Sequence, residues 1–227
     1  MLLILASQSP RRQQIIELLG YPVVVQVADV DESSVMLPDP AVNAVETAVL
    51  KATTIAHRLH NQQERAFIVA ADTIVALDGA MLGKPVDAAA ATHMLATLRN
   101  RQHEVHTGLV VLDVRSGQMV QRVNTAVVTM RDYTDAEIAT YVASGDPLDK
   151  AGGYAIQHPV FQPVADMVGC YLAVMGLSIC ELVRVLDELD VPRRVDLTAV
   201  HAAHHLANLE YPCPIYHYLS HGTPESF

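Results

Sequence analysis

Six residues near the start of the chain, Ser7-Gln8-Ser9-Pro10-Arg11-Arg12, combine residue types that bind anions. Ser9 is a preferred helix N-cap. Pro10 suits the first helical position, since its fixed φ is already helical and its missing N–H would be unpaired there. A helix starting here brings free backbone N–H groups, the positive end of the helix dipole and two guanidinium groups onto one spot. Such a spot is an anion cradle, with phosphate as the obvious guest. A well-capped helix with two solvated arginines satisfies the same residues equally well.

Carboxylates and lysines follow at intervals. Asp29-Val30-Asp31-Glu32 sets three carboxylates in four residues, and these repel one another unless a cation or basic side chains sit nearby. A solvated acidic turn is the plainer reading of that run. Asp72-Thr73 lies between the apolar runs Phe67-Ile68-Val69-Ala70-Ala71 and Ile74-Val75-Ala76-Leu77, where a charged group needs a basic partner or a metal. Lys51 falls inside a helical pattern, and Lys84 is held on a stiff loop by Gly83-Lys84-Pro85. In the tail, His201, His204 and His205 occupy i, i+3 and i+4, a geometry suited to a metal, with Cys213 and His217 near in sequence. No standard zinc spacing accompanies them, and packing of the tail on the body or on a second subunit is the favoured reading.

The elements that must position these groups can be read in order. Leu2 to Ala6 is a buried strand, and Ile15, Ile16, Leu18 and Leu19 give the following helix an apolar stripe that Gly20 closes. Tyr21 to Val27 reads as a strand and Ala41 to His60 as a helix carrying Lys51. Phe67 to Ala71 is a second apolar strand that delivers Asp72-Thr73 at its end, where ligand crevices of α/β folds open. Asp78-Gly79 is a hairpin turn, and an Ala-rich helix runs from Asp87 to about Leu98. Gln102 to Asp113 and Met119 to Met130 form a long hairpin, with a bulge at Thr107-Gly108 as one option. Capping boxes at Thr134–Glu137 and Ser178–Glu181 open two further helices. Between them lies the turn-rich stretch from Ser144 to Gln157, where Gly152-Gly153 beside Lys150 and Gln157 would let backbone approach a ligand; a plain surface loop is the alternative.

The chain has 227 residues, 51% hydrophobic and 18% charged, a globular composition with room for a substantial core. Lys+Arg is 15 against Asp+Glu 25, a formal net charge of −10. Binding of nucleic acid through bulk charge is excluded, and a polyphosphate ligand must meet a local basic pocket. The three cysteines, Cys170, Cys180 and Cys213, lack C-x-x-C spacing and read as reduced thiols in the cytoplasm. Arg11 and Arg12 interrupt the opening apolar run, and no uncharged apolar stretch approaches ~18 residues, so neither a signal peptide nor a membrane span is expected.

The ordered blocks Ser7-x-Ser9-Pro10-Arg11-Arg12, Asp29-x-Asp31-Glu32, Lys51-Ala52, Ala71-Asp72-Thr73-Ile74-Val75, Gly83-Lys84-Pro85, Thr107-Gly108 and Asp149-Lys150-Ala151-Gly152-Gly153-Tyr154-x-Ile156-Gln157 resemble the Maf (septum-formation-inhibitor-like) nucleotide pyrophosphatases. The resemblance runs from Leu3 to about Leu189. It implies an α/β fold with a long, mixed, twisted sheet flanked by helices, two lobes around a cleft, similar to the inosine-triphosphate pyrophosphatases. It implies metal-dependent hydrolysis of nucleoside triphosphates between the α and β phosphates, a homodimer, and Mg²⁺ or Mn²⁺ as cofactor. By position, Ser7, Ser9, Arg11 and Arg12 would hold phosphates, and Lys51 and Lys84 would neutralise them. Asp72 would be the proton acceptor and, with Glu32, would hold the metal. Ala71-Asp72-Thr73 sides with the branch acting on dTTP and UTP, and Arg11, Thr73 and Gln157 match the positions tied to base choice. The same pocket would also serve a nucleotide-binding regulator of cell division without turnover, or the same chemistry on 7-methyl-GTP or other purine nucleotides.

The residues also depart from the family pattern. Gly169-Cys170-Tyr171…Met175-Gly176-Leu177-Ser178 stands where the family has Gly-Ser-Tyr…Val-Gly-Leu-Pro, and Ser178 is expected to cap the next helix in place of the proline. The stretch from His158 to Asp166 diverges. Residues 1–190 are read as the pyrophosphatase domain, and 191–227 as a His- and Pro-rich extension without a counterpart.

Overall fold

In the computed structural model, which describes residues 1–59, 65–204, 213, 215–216 and 219, one sheet organises the chain. Its strands are β1 (Leu2–Leu5), β2 (Val23–Val25), β3 (Ala66–Leu77), β4 (Ala80–Leu82), β5 (Gln102–Asp113), β6 (Met119–Met130) and β7 (Val164–Val168). The seven strands run β2-β1-β3-β5-β6-β7, with β4 also on β3. β1 is parallel to β2 and β3, whereas β3, β5, β6 and β7 pair antiparallel. The fold is thus mixed α/β, as expected.

Side-chain alternation explains the unbroken apolar runs of β1 and β3. Leu3, Leu5, Phe67 and Val69 enter one core cluster, and Ile4, Ala66, Ile68 and Ala70 enter another on the opposite face. Strands covered on both faces have no polar face to show. The second cluster is sealed by α2 (Pro40–Arg58), through Ala48, Ala52 and Ile55. The first is packed with α1 (Pro10–Glu17), α3 (Ala88–Leu98), α4 (Asp135–Ala143) and α6 (Ile179–Glu188).

Helix starts obey their caps. Asp39 accepts from the amides of Ala41 and Val42, and Asp87 from that of Ala90. Thr134 and Glu137 form a complete capping box. Ser178 caps α6 by accepting from Glu181 N, but the Glu181 carboxylate pairs with Arg122 and Arg184 instead of returning to the cap. Asp78 and Gly79 turn β3 into β4 with φ of 52° and 80°, values that an Asp-Gly pair accepts with little strain.

Two expectations need correction. β3 does not end at Asp72 but continues to Leu77, because Ile74 to Leu77 keep pairing with β5. No bulge interrupts Thr107-Gly108 either, since Thr73↔Thr107, Asp72↔Gly108, Thr107↔Asn124 and Gly108↔Val123 stay in register. Gly108 is required for another reason: a Cβ there would lie 2.4 Å from the Ala44 carbonyl oxygen of α2. Strand boundaries otherwise shift modestly, β2 being shorter than Tyr21 to Val27. His60 of the expected α2 lies outside the described residues.

β3 sets the position of the cleft. One of its edges is taken by β5 along almost its whole length. On the other edge β1 leaves at Leu5↔Val69 and β4 joins only at Val75↔Leu82. Among the described residues, Ala70 to Ile74, with Asp72 and Thr73 among them, therefore have no strand on that edge. Among the described residues, no helix is long and apolar enough to cross a membrane.

Candidate active site

α1 begins as its residues dictate, with Ser9 at the N-cap and Pro10 in the first turn. The Ser9 side chain nevertheless makes no cap hydrogen bond, so the first turn has no side-chain acceptor and can serve an anion. Ser7, 7% exposed, sits just before it.

Arg12 turns back from α1 into the molecule. Its Nε donates to Gly176 O at 2.8 Å, Nη1 to Ser7 Oγ at 3.3 Å and Nη2 to Thr73 Oγ1 at 3.1 Å. Thr107 Oγ1 donates to Ala173 O at 2.8 Å, so the 3.0 Å contact between Thr73 and Thr107 is a donation from Thr73. The relay Arg12 → Thr73 → Thr107 → Ala173 carbonyl has each hydroxyl both accepting and donating, which fixes the guanidinium plane. Burial pulls Arg12 below the ordinary guanidinium value; Asp72 and Glu32 oppose that and Arg11 adds to it. A guanidinium stays charged even so. Gly176, at φ 119°, allows the approach, for a Cβ on it would lie 3.1 Å from Arg12 Nε.

Lys51 occupies the buried stripe of α2 that Ala44, Ala48, Ala52 and Ile55 share. The small residues bring the helix close to the sheet, and the ammonium must then find charge partners there. It finds two, Glu32 Oε1 at 2.7 Å and Asp72 Oδ1 at 2.7 Å. Glu32 arrives on a short 3₁₀ turn, Glu32–Ser34, capped by Asp31. Burial raises the Glu32 pKa, but Lys51, with Lys84 and Arg12 farther off, outweighs burial and holds it below the ordinary range.

These groups border a cleft of about 910 Å³, large for a small-molecule site. Ser7, Ser9, Arg11, Arg12, Glu32, Lys51, Asp72, Thr73, Lys84 and Gln157 all line it, so every predicted site residue is brought there. Lys84 is joined to the glycine-rich stretch because Gly152 N donates to Gly83 O at 3.1 Å. Among the described residues, Arg11, Arg12 and Lys84 have no carboxylate at ion-pair distance.

Three contributors escaped the sequence reading. Lys150 lines the cleft but is 7% exposed and neutralised by Asp146 Oδ1 at 2.9 Å and Asp149 Oδ1 at 2.6 Å. Thr107 and Gly176 act through Thr73 and Arg12; both lay within quoted motifs, yet only cross-strand register and a contact 164 residues apart give them their place. Of the tail histidines, His201 and His204 both set their rings against Tyr216, with centroids 5.1 and 6.0 Å away. On α7 (Leu197–His204), His204 is buried while His201 is exposed. His205 and His217 lie outside the described residues.

Comparison with known proteins identifies the family. The family described as Maf-like protein matches residues 2–189. A protein of Alkaliphilus metalliredigens named dTTP/UTP pyrophosphatase is 44% identical over 186 residues, 82% of this chain and 95% of that one. Proteins of the same name from Thermomicrobium roseum, 42% identical over 85% of this chain and 86% of its own, and from Dehalococcoides mccartyi strain BAV1, 40% identical over 82% of each, match likewise. The Ham1 protein of Staphylococcus aureus superposes with a TM-score of 0.42 at 16% identity, covering 58% of this chain and 73% of that one, a likeness too loose to bear on function. The chain belongs to the Maf-like family.

Proposed function

We propose that this Maf-like protein is a nucleoside triphosphate pyrophosphatase that hydrolyses dTTP and UTP to the nucleoside monophosphate and pyrophosphate. One observation carries the reading: Arg11, Arg12 and Lys84, which among the described residues have no carboxylate at ion-pair distance, share a cleft with the Lys51–Glu32–Asp72 cluster. A chain of net charge −10 that leaves cations uncompensated in one cleft suits a ligand of several negative charges. The names of its relatives supply the nucleotides.

In this mechanism, Arg11 and Arg12, with Ser7, Ser9 and the amides opening α1, hold phosphate oxygens. Asp72 takes a proton from the attacking water. The water oxygen bonds to the α-phosphorus, the bond from that phosphorus to the bridging oxygen breaks, and pyrophosphate leaves with the electron pair. Lys51 and Lys84 offset the charge that builds on the leaving group.

Glu32 and Asp72 also fit a resident Mg²⁺ or Mn²⁺, because both carboxylates converge on one point, each bound to the same ammonium through one oxygen. Hard cations of this kind take a few carboxylate oxygens together with phosphate and water. When bound, such an ion neutralises phosphate charge and polarises the phosphoryl group.

Base choice falls to Gln157 and Arg11, since the Thr73 hydroxyl is committed to Arg12 and Thr107. A Gln side chain can donate and accept at once, as a pyrimidine face requires. Residues 1–190 form the catalytic unit, which works in the cytoplasm as a homodimer in nucleotide house-cleaning. Sedimentation measures the assembly.

The test is pyrophosphate release from a panel of nucleoside triphosphates with Mg²⁺ or Mn²⁺ present or withheld. Release from dTTP and UTP, dependent on metal and lost in Asp72→Asn, is expected. Nucleotide that raises the melting temperature without any turnover would make the protein a binding regulator, and faster release from purines would reassign the substrate.

A further inference from the structure

The departure that replaces a serine of the family pattern with Cys170 has a partner in the extension. Cys170, His204 and Cys213 lie with their ligand atoms all within 4.8 Å of one another, and all three are buried. Cys180, fully buried on α6, comes within 3.9 Å of His204 Nε2, the same distance as Cys170. None of these residues belongs to the cleft, and the inference is independent of the nucleotide reading.

We propose that Cys170, His204 and Cys213 bind one zinc ion, with Cys180 as the fourth ligand, and that this ion staples the C-terminal extension to the body of the protein.

Hydrogen bonding around the cluster has the form a metal site needs. His204 Nδ1 lies 2.8 Å from the Val200 carbonyl oxygen, which can only accept. Nδ1 therefore carries a proton, and Nε2 is the nitrogen that faces the sulfurs, the ring orientation that metal-binding histidines have. Ser178 Oγ accepts from Glu181 N and stands 3.5 Å from Cys170 Sγ, so its hydroxyl proton is available to the sulfur as an outer-shell donor.

Distances and donor softness select the ion. Tetrahedral zinc with Zn–S near ~2.3 Å and Zn–N near ~2.0 Å sets its ligand atoms about 3.5–3.8 Å apart, against 3.9 Å from His204 Nε2 to Cys170 and to Cys180 and up to 4.8 Å within the Cys170, His204 and Cys213 set. Thiolates with one imidazole, closed off from solvent, suit structural zinc, whereas the oxygen donors of Glu32 and Asp72 suit Mg²⁺ or Mn²⁺. Each thiol that binds gives its proton to water.

The site also bears on the cleft through one short segment. Cys170 caps α5 (Tyr171–Val174), and the carbonyls of Ala173 and Gly176 receive Thr107 and Arg12. The ion anchors the segment that orients Arg12 at the end where Cys170 begins it.

The experiment is elemental analysis of the full chain, expressed without a polyhistidine tag, given zinc and dialysed. About one zinc per chain is expected in the parent protein and in Asp72→Asn, and none in Cys213→Ser or His204→Gln. If those variants fold poorly, the parent protein gives the second readout. A chelator should lower its melting temperature, zinc but not magnesium should restore it, and cobalt replacement should give a thiolate charge-transfer band. Absence of zinc from the folded parent, zinc content unchanged in Cys213→Ser, or a Cys170–Cys213 disulfide detected as a mass about 2 Da lower would each overturn the proposal.

Discussion

The cleft and the thiol pocket share the segment from Cys170 to Ser178 and treat polar groups in opposite ways. In the cleft the groups are hard and charged, and its cations are left partly uncompensated: Lys51 is paired twice, while the hydrogen bonds of Arg12 among the described residues go to neutral oxygens. In the pocket the groups are soft and closely matched, three thiols around one imidazole, with every member buried. An open site with spare charge can recognise an anion that comes and goes. A closed site of matched ligands can hold an ion for the life of the fold. The difference separates a working site from a fastening.

The sharpest break is Asp72→Asn. It removes the proposed proton acceptor and keeps the shape, and turnover of dTTP is expected to fall about 10³-fold, or ~4 kcal/mol of barrier. Zinc content should stay where it is, so elemental analysis beside a pyrophosphate assay tells whether the two regions are separable. Thr107→Val tests the link between them. It leaves the Ala173 carbonyl without its donor, and KM is expected to rise about tenfold, ~1.4 kcal/mol, with kcat less affected. Thr107→Ser should restore it, an outcome that loss of strand packing alone would not produce.

Gly176→Ala probes the same segment from the cleft side. The new Cβ would press on Arg12 Nε at 3.1 Å, in a residue with φ of 119°. The strain, about 1–3 kcal/mol, should appear in calorimetry as a melting temperature several degrees lower.

The smallest effect is a pH dependence of stability. Glu32 is held below its ordinary 4.5 by Lys51 against burial, so the folded state favours its ionised form. Its contribution is whole above that ordinary value and fades as pH falls through the lower folded value. With a side chain 57% exposed, the discounted magnitude is ~0.5 kcal/mol or less. Melting curves of Glu32→Gln and the parent protein should converge only in that acid range.

Legibility followed the distance between cause and effect along the chain. Caps and turns are local, and Asp39, Asp87, Thr134–Glu137 and Asp78-Gly79 act where their residue types say they should. The hairpin of β5 and β6 spans the expected residues because alternation and a turn define it without outside help. The end of the apolar run at Ala71 was misleading, since pairing with β5, not hydropathy, decides where β3 stops.

Residue types and their order, read from the sequence, determined most of the elements, though not β7 or α5, together with the net negative charge and the residues assigned to the cleft. Tertiary structure alone decided their partnerships. Lys51 stands between Glu32 and Asp72 because α2 settles on Gly108, where a side chain would collide with it. Thr73 meets Thr107 because two strands are in register, and Cys170 meets His204 and Cys213 because α7 and Cys213 pack on the core. Each of these depends on chain segments far apart in sequence, whose approach is set by packing, and packing leaves no spacing to read.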